Sequence, residues 1–466
     1  MELRSHLSEH DVRRLKQVVG RECVSTAVED LICHSYDATK QTAMPSAVVR
    51  PATAQEVSGV LAYADNQYIP VYPMGAASGL TGGAVPVRGG IVLDMTRMNR
   101  IVEIDQENLI AVVEPGVVCA EFQTTVERLG LFYPPDPASS EFSTLGGNVA
   151  ECAGGLRCLK YGVTRDYVLA LEAVIPSGEI IRTGSRAMKN VSGYDLTRLL
   201  VGSEGTLCVF TQMTVRLIPL PKSIRTVLAY FRSFDDAAQA VSAIVAARIV
   251  PRAIEFMDED TLDAVRSYGN FDFPPEAKAA LLIEVDGYDA ATESETQAVA
   301  AICREKRSSQ LSVALSAEDR DALWRTRRVV SPALYNLAPK KINEDVSVPR
   351  SRLAELLREI QRIKREKSVR IACFGHAGDG NVHVNFLIAS DDPDELRRAE
   401  SGVEELLRIV VSYGGSISGE HGIGTTKARY LGIEIPPREM ALMREIKLVF
   451  DPHGILNPGK VFPPEG

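Results

Sequence analysis

The sequence predicts a mixed helix-and-sheet chain of two or three domains, with an α+β or α/β second domain. At 466 residues it exceeds one small domain. Up to Ile218-Pro219-Leu220-Pro221, short β-branched runs are punctuated by glycine and proline; beyond that point apolar strand-like runs alternate with amphipathic helices. A boundary is placed at this change of texture. The composition, 45% hydrophobic and 24% charged, is that of a globular protein, and a net charge of −9 argues against a nucleic-acid partner. No apolar run reaches bilayer length, and the N-terminus lacks the apolar core of a signal peptide. Eight cysteines (23, 33, 119, 152, 158, 208, 303, 373) lie scattered without CxxC spacing, which reads as reduced thiols in a cytoplasmic protein.

In chain order, Asp11–Val19 has helical spacing with Ser8 as its cap, and Ala47–Pro51 is extended. Thr53–Asn66 places Val57, Val60, Leu61 and Ala64 on one helix face. A β-run, Tyr68–Pro73, breaks into Met74–Gly83, with four glycines in the nine positions 75–83. Such a loop after a strand either turns backbone amides toward an anion or is a structural turn. The fingerprint GxGxxG is absent and the next element, Ile91–Asp94, is another strand, so a Rossmann site is not expected. Strands follow at Ile101–Ile104, Leu109–Val113 and Val117–Val118, then a helix over Ala120–Leu129. The polar passage from Pro134 to Gly155 reads as a long loop whose small side chains allow close approach to a flat, extended ligand. Val168–Ile175 and Glu179–Arg182 form a hairpin, and Gly202–Leu207 is a turn before the strand Cys208–Phe210.

Past the boundary the spacing predicts strands at Ile224–Phe231, Arg252–Met257 and Ala280–Asp286. It predicts helices over Asp235–Arg248 (capped by Asp235), Asp260–Tyr268, Thr292–Arg304 and a stretch carrying Trp324–Arg328 to near Tyr335. Lys340–Val346 leads into a strand, and Leu353–Lys367, Asp394–Tyr413 and Glu439–Phe450 are helical.

Four of the seven histidines lie beyond residue 375. Val369–Phe374 and Val382–Ile388 flank Asp379-Gly380, a pair that closes two-residue hairpins because both positions need φ > 0. With that turn His376 faces His383, their Cβ atoms roughly 5 Å apart. Two imidazoles so held can grip one metal ion, or form a pair of satisfied structural histidines. Ser418-Gly419-Glu420-His421-Gly422 brings a carboxylate and a third imidazole; His453, before a glycine in a proline-containing turn, reads as structural.

Together these passages resemble the FAD-dependent oxidoreductases of the vanillyl-alcohol-oxidase/p-cresol-methylhydroxylase superfamily. The resemblance is to the branch that holds the glycolate oxidase catalytic subunit, D-lactate dehydrogenase and D-2-hydroxyglutarate dehydrogenase. Its motifs are Met74–Gly83, Pro135-Asp136-Pro137 with Thr144–Gly155, Lys160–Asp166, Gly193-Tyr194-Asp195 to Thr206, Gly375–His383, Gly419–Gly422 and Asn457-Pro458-Gly459-Lys460. It implies a two-subdomain FAD-binding domain of the p-cresol-methylhydroxylase type plus an α+β substrate (cap) domain with an antiparallel sheet. The boundaries become 1–46 for a helical lead-in, 47–219 for the FAD-binding domain, 220–415 for the cap with its metal hairpin, and 416–466 for a segment returning to the flavin. The flavin contacts it implies are Pro73, Gly75, Ala76, Ala77, Ser78, Gly79 and Leu80; Pro135, Asp136, Ser139, Thr144, Gly147, Asn148, Cys152, Gly154 and Gly155; and Tyr161, Gly162, Glu204, Thr206 and Asn457. Gly75–Gly79 holds neither His nor Cys, so the FAD is expected to be non-covalent, with Cys152 as the alternative tether.

The resemblance implies oxidation of a D-2-hydroxy acid, D-lactate or glycolate favoured, with hydride passing to flavin N5. Carboxylate and α-hydroxyl can chelate one divalent metal ion (Zn, Fe or Mn) on His376, His383 and Glu420, which lowers the hydroxyl pKa. His421 is the candidate base. Arg327, in a Trp-x-x-Arg pattern from Trp324, is the candidate catalytic and substrate residue for the carboxylate; its alternative is a solvated basic face with Arg325 and Arg328. Lys341 and Asn343 complete the substrate set. Iron–sulfur spacing is absent, so electrons leave to an outside acceptor: an electron-transferring flavoprotein, an iron–sulfur subunit, a quinone or a cytochrome. An oligomer or complex subunit is expected, not transmembrane, with peripheral association on the cytoplasmic side of a membrane left open. The competing readings are a non-catalytic flavin relay subunit, a D-2-hydroxyglutarate dehydrogenase, and a sugar-lactone or aromatic-alcohol oxidase without metal.

Overall fold

The computed structural model describes residues 3–464 except 270, 272, 315 and 391. The chain divides into two compact units: 1–154 with 163–220 and 420–466, and 155–162 with 221–419.

The first unit holds two main sheets. In one, Ala47–Val49, Ile91–Asp94 and Val71–Met74 run parallel, with Val24–Ser25 added antiparallel at the edge. Parallel strands need crossovers, and Ala54–Gln67 supplies one, capped by Thr53, whose hydroxyl accepts the Glu56 amide. The buried stripe of this helix is Val57, Val60, Leu61 and Ala64, as the spacing predicts. Glu9–Val19 is closed by a capping box between Ser8 and Asp11. The second sheet is antiparallel, ordered Ile101–Asp105, Ile110–Val113, Val209–Arg216, Val168–Val174, Ile180–Gly184. Val117–Val118 forms no strand; Val118 makes only an isolated bridge to Thr144, because the chain turns at once into the helix Cys119–Glu127. The long passage from Pro134 is not all loop. Leu145–Glu151 is helical despite two glycines, since Leu145, Asn148 and Val149 are buried there.

The second unit is built on one antiparallel sheet of seven strands. Their order is Ser308–Val313, Ser223–Phe231, Ala279–Gly287, Ala253–Asp258, Arg370–His376, Asn381–Ile388, Lys340–Ser347. Both faces are covered, so the central strands are buried along nearly their whole length rather than alternating. One face packs against Glu259–Tyr268, Ala317–Arg328 and Val330–Ala333 through Leu228, Tyr230, Met257, Leu262, Trp324 and Phe374. Phe234–Ala246, Asp289–Glu305, Leu353–Lys367 and Pro393–Ser412 make the remaining helical layer. Lys340–Val346 is itself the edge strand rather than its approach. Asp235 is not a cap: the helix starts at Phe234 after Ser233, and Asp235 sits in its first turn.

The histidine hairpin differs from expectation in register. His376 pairs with Asn381 and Phe374 with His383. The turn spans four residues, Ala377 to Gly380, because the Asp379 and Gly380 amides both return to the His376 carbonyl. The shift is two residues, and a shift of two preserves the face. Both imidazoles therefore still project to the same side of the sheet, now as diagonal rather than opposed neighbours.

Candidate functional site

In the first unit the glycine loop after Val71–Met74 lies against the start of the helix Leu145–Glu151. A Cβ on Gly75 would sit 2.2 Å from Thr144 Oγ1, and one on Gly146 would sit 2.5 Å from the Pro115 Cβ, so close approach accounts for both glycines. The Gly202 and Glu204 amides donate to the Val149 and Ala150 carbonyls, seating the third glycine turn on the same helix. Ala77, Cys152, Glu204 and Asn457 all take left-handed backbone conformations within these passages. Ser143 Oγ, Asn148 Nδ2, Ser203 Oγ and Asn457 Oδ1 are buried without hydrogen-bond partners. Each such atom costs roughly 1–3 kcal/mol unless something satisfies it. Glycine walls with unsatisfied polar edges fit a flat ligand rich in donors and acceptors, as FAD is.

The segment carrying Glu420 and His421 is fastened to this cradle inside the same unit. Glu204 Oε1 accepts the Ile423 amide at 2.8 Å, and Glu204 Oε2 accepts the Gly424 amide at 2.7 Å. The Thr81 carbonyl takes the Thr425 and Thr426 amides, while Thr81 Oγ1 donates to the His421 carbonyl. Asn457 Nδ2 donates to the Gly83 and Glu204 carbonyls, and Lys460 Nζ to those of Gly82 and Val85. Burial and the charge of Glu204 push the Glu151 carboxyl well above its ordinary value. Burial holds the Lys460 amine down to about 8 against the pull of Asp37, Glu204 and Glu151. His421 Nε2 lies 3.8 Å from Glu420 Oε1.

In the second unit the sheet register assembles the other group. Glu255 pairs with His376, and Asp345 with His383, so one face carries Glu255, His376, His383 and Asp345. The His376 and His383 rings meet edge to face, centroids 5.2 Å apart. Glu255, with no exposed side-chain surface, binds His376 Nδ1 at 2.5 Å through Oε1 and Arg327 Nε at 2.8 Å through Oε2. Burial works to raise the Glu255 carboxyl, but His376 and Arg327 together hold it below its ordinary value. The Arg327 guanidinium also lies 4.7 Å over the Phe374 ring, and Phe374 touches His383. Arg325 and Arg328 remain exposed, so the basic cluster splits and Arg327 alone of the three turns inward.

Asp345 Oδ1 lies 3.7 Å from His383 Nδ1 and accepts Asn381 Nδ2 at 2.6 Å. Asp345 Oδ2 accepts the Gly419 amide at 3.0 Å, which fixes the direction in which the chain leaves for Glu420. Lys341 and Asn343 share the Asp345 face by strand alternation. Lys341 Nζ reaches Ser331 Oγ at 3.3 Å, and the opposed Asn343 and Asn385 each keep a buried Oδ1 without a partner.

The structure therefore brings His376, His383 and Arg327 together on one face, and places Lys341 and Asn343 along the same strand edge. Of the implied flavin contacts, Gly155, Tyr161 and Gly162 fall in the second unit, where Tyr161 Oη donates to Asp286 at 2.7 Å beside Lys160. Pro135 spends its carbonyl on Gln123 Nε2, and Thr206 Oγ1 on the Ser203 carbonyl. Gly79, Ala76, Ser78, Leu80, Asp136, Ser139 and Gly154 belong to the first unit's loops, and Gly147 to the helix Leu145–Glu151. Glu255, Asp345 and Asn385 have no counterpart among the expected residues. A charged or amide residue inside an apolar strand was the available signal for each.

Residues 45–184 match the family described as FAD binding domain, and residues 220–461 match FAD linked oxidases, C-terminal domain. The chain is 44% identical to the glycolate oxidase subunit GlcD of Bacillus subtilis, over 96% of each chain. It is 34% identical to a D-lactate dehydrogenase of Anaerostipes hadrus, over 97% of this chain and 96% of that one. Among solved structures, p-cresol methylhydroxylase with substrate bound superposes with a TM-score of 0.81 at 20% identity, covering 98% of both chains, which shows the shared fold.

Proposed function

Since this chain belongs to the FAD-linked oxidases, we propose that it oxidises a small D-2-hydroxy acid, D-lactate or glycolate, to the 2-oxo acid with the help of a divalent metal ion. The observation that carries the proposal is the sheet face on which two buried imidazoles stand beside an inward-turned guanidinium. A hydroxy acid needs both a cation for its carboxylate and a Lewis acid for its hydroxyl. Relatives of similar length named glycolate oxidase subunit and D-lactate dehydrogenase support the same substrate class.

The donor set fits a metal of the Zn, Fe or Mn kind. Glu255 holds His376 Nδ1, which leaves Nε2 as its ligand atom, and His383 stands beside it with Nδ1 3.7 Å from Asp345 Oδ1. Glu420 follows Gly419 directly and is the proposed third ligand. When bound, FAD accepts hydride and the metal ion acidifies the substrate hydroxyl. The chain's own residues do the rest. Arg327 binds the substrate carboxylate, Lys341 and Asn343 border it, and His421 takes the hydroxyl proton on a segment held in place by Glu204. Electrons then leave to an outside acceptor, an electron-transferring flavoprotein, an iron–sulfur subunit or a quinone. Among the described residues no helix is long and apolar enough to cross a membrane.

Anaerobic titration of the flavoprotein against D- and L-lactate, glycolate and D-2-hydroxyglutarate tests the reading. Bleaching by a D-monocarboxylate, lost on metal chelation, is expected. Lys341 gives a reason to include the dicarboxylate, since a second cation, on the edge strand Lys340–Ser347, could serve a second carboxylate. Failure of every 2-hydroxy acid to bleach the flavin would refute the assignment.

A further inference from the structure

We propose that Glu255 is the positioning residue of the hydroxy-acid site, one carboxylate fixing both the His376 imidazole and the Arg327 guanidinium. The inference rests on the function proposed above and extends it to a residue that touches neither substrate nor flavin.

Glu255 lies on an inner strand, Ala253–Asp258, directly opposite His376 in the ladder. Its side chain is wholly buried, where an ionised carboxylate must be paired with cations or donors. It has two such partners, and they belong to different halves of the proposed chemistry. An ionised carboxylate only accepts, so His376 Nδ1 carries the proton and Nε2 presents its lone pair. That selects the tautomer a metal ligand needs and makes the ligand nitrogen more basic. On the other oxygen Glu255 takes Arg327 Nε, the inner corner of the guanidinium. The two Nη atoms are then the part of the fork left to grip a carboxylate. Phe374, beneath Arg327 and against His383, keeps the guanidinium plane from tilting away.

The consequence is a fixed spacing. A 2-hydroxy acid places its carboxylate and its hydroxyl on adjacent carbons. A site for it needs the metal and the guanidinium held at one separation. Two long side chains on different elements, a strand end and a helix, would not keep that separation unaided. A rigid carboxylate with one oxygen on each does.

The test uses the purified flavoprotein and Zn²⁺ affinity measured by competition with a chromophoric chelator, with the Co²⁺ absorption spectrum as a second readout. Glu255→Gln should weaken Zn²⁺ binding about 10–100-fold, alter the Co²⁺ spectrum and raise KM for the hydroxy acid, while FAD content stays at wild type. Because Glu255→Gln leaves Arg327 buried without its counter-ion, the double variant Glu255→Gln/Arg327→Met removes both charges and guards against misfolding. It should show the same loss of Zn²⁺ affinity. Wild-type Zn²⁺ affinity in the double variant would overturn the inference, since Glu255 would then be only a counter-ion for Arg327. Wild-type affinity in His376→Ala would instead overturn the metal site itself, and this inference with it.

Discussion

Replacing Glu204 by alanine isolates the anchor of the Glu420–Thr426 segment. Its two oxygens accept separate backbone amides, Ile423 at 2.8 Å and Gly424 at 2.7 Å, and the Gly424 amide is buried. Leaving each amide unsatisfied costs roughly 1–3 kcal/mol, so the variant should lose on the order of 2–6 kcal/mol. One effect opposes this. The charge of Glu204 and burial together keep Glu151 protonated past its ordinary range, so deleting Glu204 relieves a like-charge contact. While Glu151 is protonated there is little repulsion to relieve, and the lost amide bonds win. As pH climbs and wild-type Glu151 is forced toward ionisation, the two effects converge and the deficit shrinks. Glu204→Gln retains one acceptor and should fall near half the alanine loss. Urea unfolding at pH 6, 7 and 9 gives the stabilities, and limited trypsinolysis at Lys427 and Arg429 reports on the segment itself. A loss below about 1 kcal/mol at pH 7, with no faster cleavage, would refute the anchoring role. Loss of FAD with the segment still protected would move Glu204 to the cofactor instead.

Four further outcomes are expected. Burial raises the Asp258 carboxyl from 3.8 to about 7, so its ionisation disfavours the folded state; the wild type should lose stability relative to Asp258→Asn as pH rises from 3.8 to about 7, by on the order of 2–4 kcal/mol, measured by urea titration across that window. His376→Ala or His383→Ala should strip the metal while leaving FAD bound, because most of the proposed flavin contacts lie in the other unit, as paired metal analysis and flavin absorbance would report. Gly82→Ala forces a Cβ to within 2.2 Å of Thr425 Oγ1 at a φ of +79°, and thermal unfolding should register a loss of roughly 1–3 kcal/mol. Acid precipitation should leave a colourless pellet and yellow supernatant, which a covalent bond through Cys152 would reverse.

The elements were legible where one physical signal dominated. Leu353–Lys367 has the same bounds in the sequence reading and in the structure, because its apolar stripe of Leu353, Leu356, Leu357, Ile360 and Ile363 is unbroken. Ser308–Val313 was missed for the opposite reason: as a half-exposed edge strand reading Ser-Ser-Gln-Leu-Ser-Val, it carries almost no apolar periodicity. The helix Leu145–Glu151 was hidden by its glycines, since local propensity there loses to tertiary contacts such as Gly146 against Pro115. Strand order across the seven-stranded sheet could not be read at all. It depends on which strands meet over long sequence separations, and no local pattern encodes that.

The site shows the same division more sharply. Histidines and a Gly-Glu-His-Gly run are visible as chemistry because few other roles ask for them, and the two-residue error in register did no harm because side chains repeat every two residues along a strand. Had the turn been misplaced by one residue, His376 or His383 would have been assigned to the face covered by Leu353–Lys367, and the reading would have failed. Glu255 is different in kind. In the sequence it is one glutamate in Ala-Ile-Glu-Phe-Met-Asp, no more notable than Glu284 in Leu-Ile-Glu-Val-Asp, which the structure gives to Trp324 Nε1 and Thr226 Oγ1. Only the pairing of Ala253–Asp258 with Arg370–His376, and the arrival of Arg327 from a helix seventy-two residues later, separate the two carboxylates. Candidate ligands can be read from residue type, then, but the groups that would orient them are defined by non-local pairing. Metal affinity in Glu255→Gln, set beside the same measurement in Glu284→Gln, should divide these two buried acids, with only the first weakening the ion.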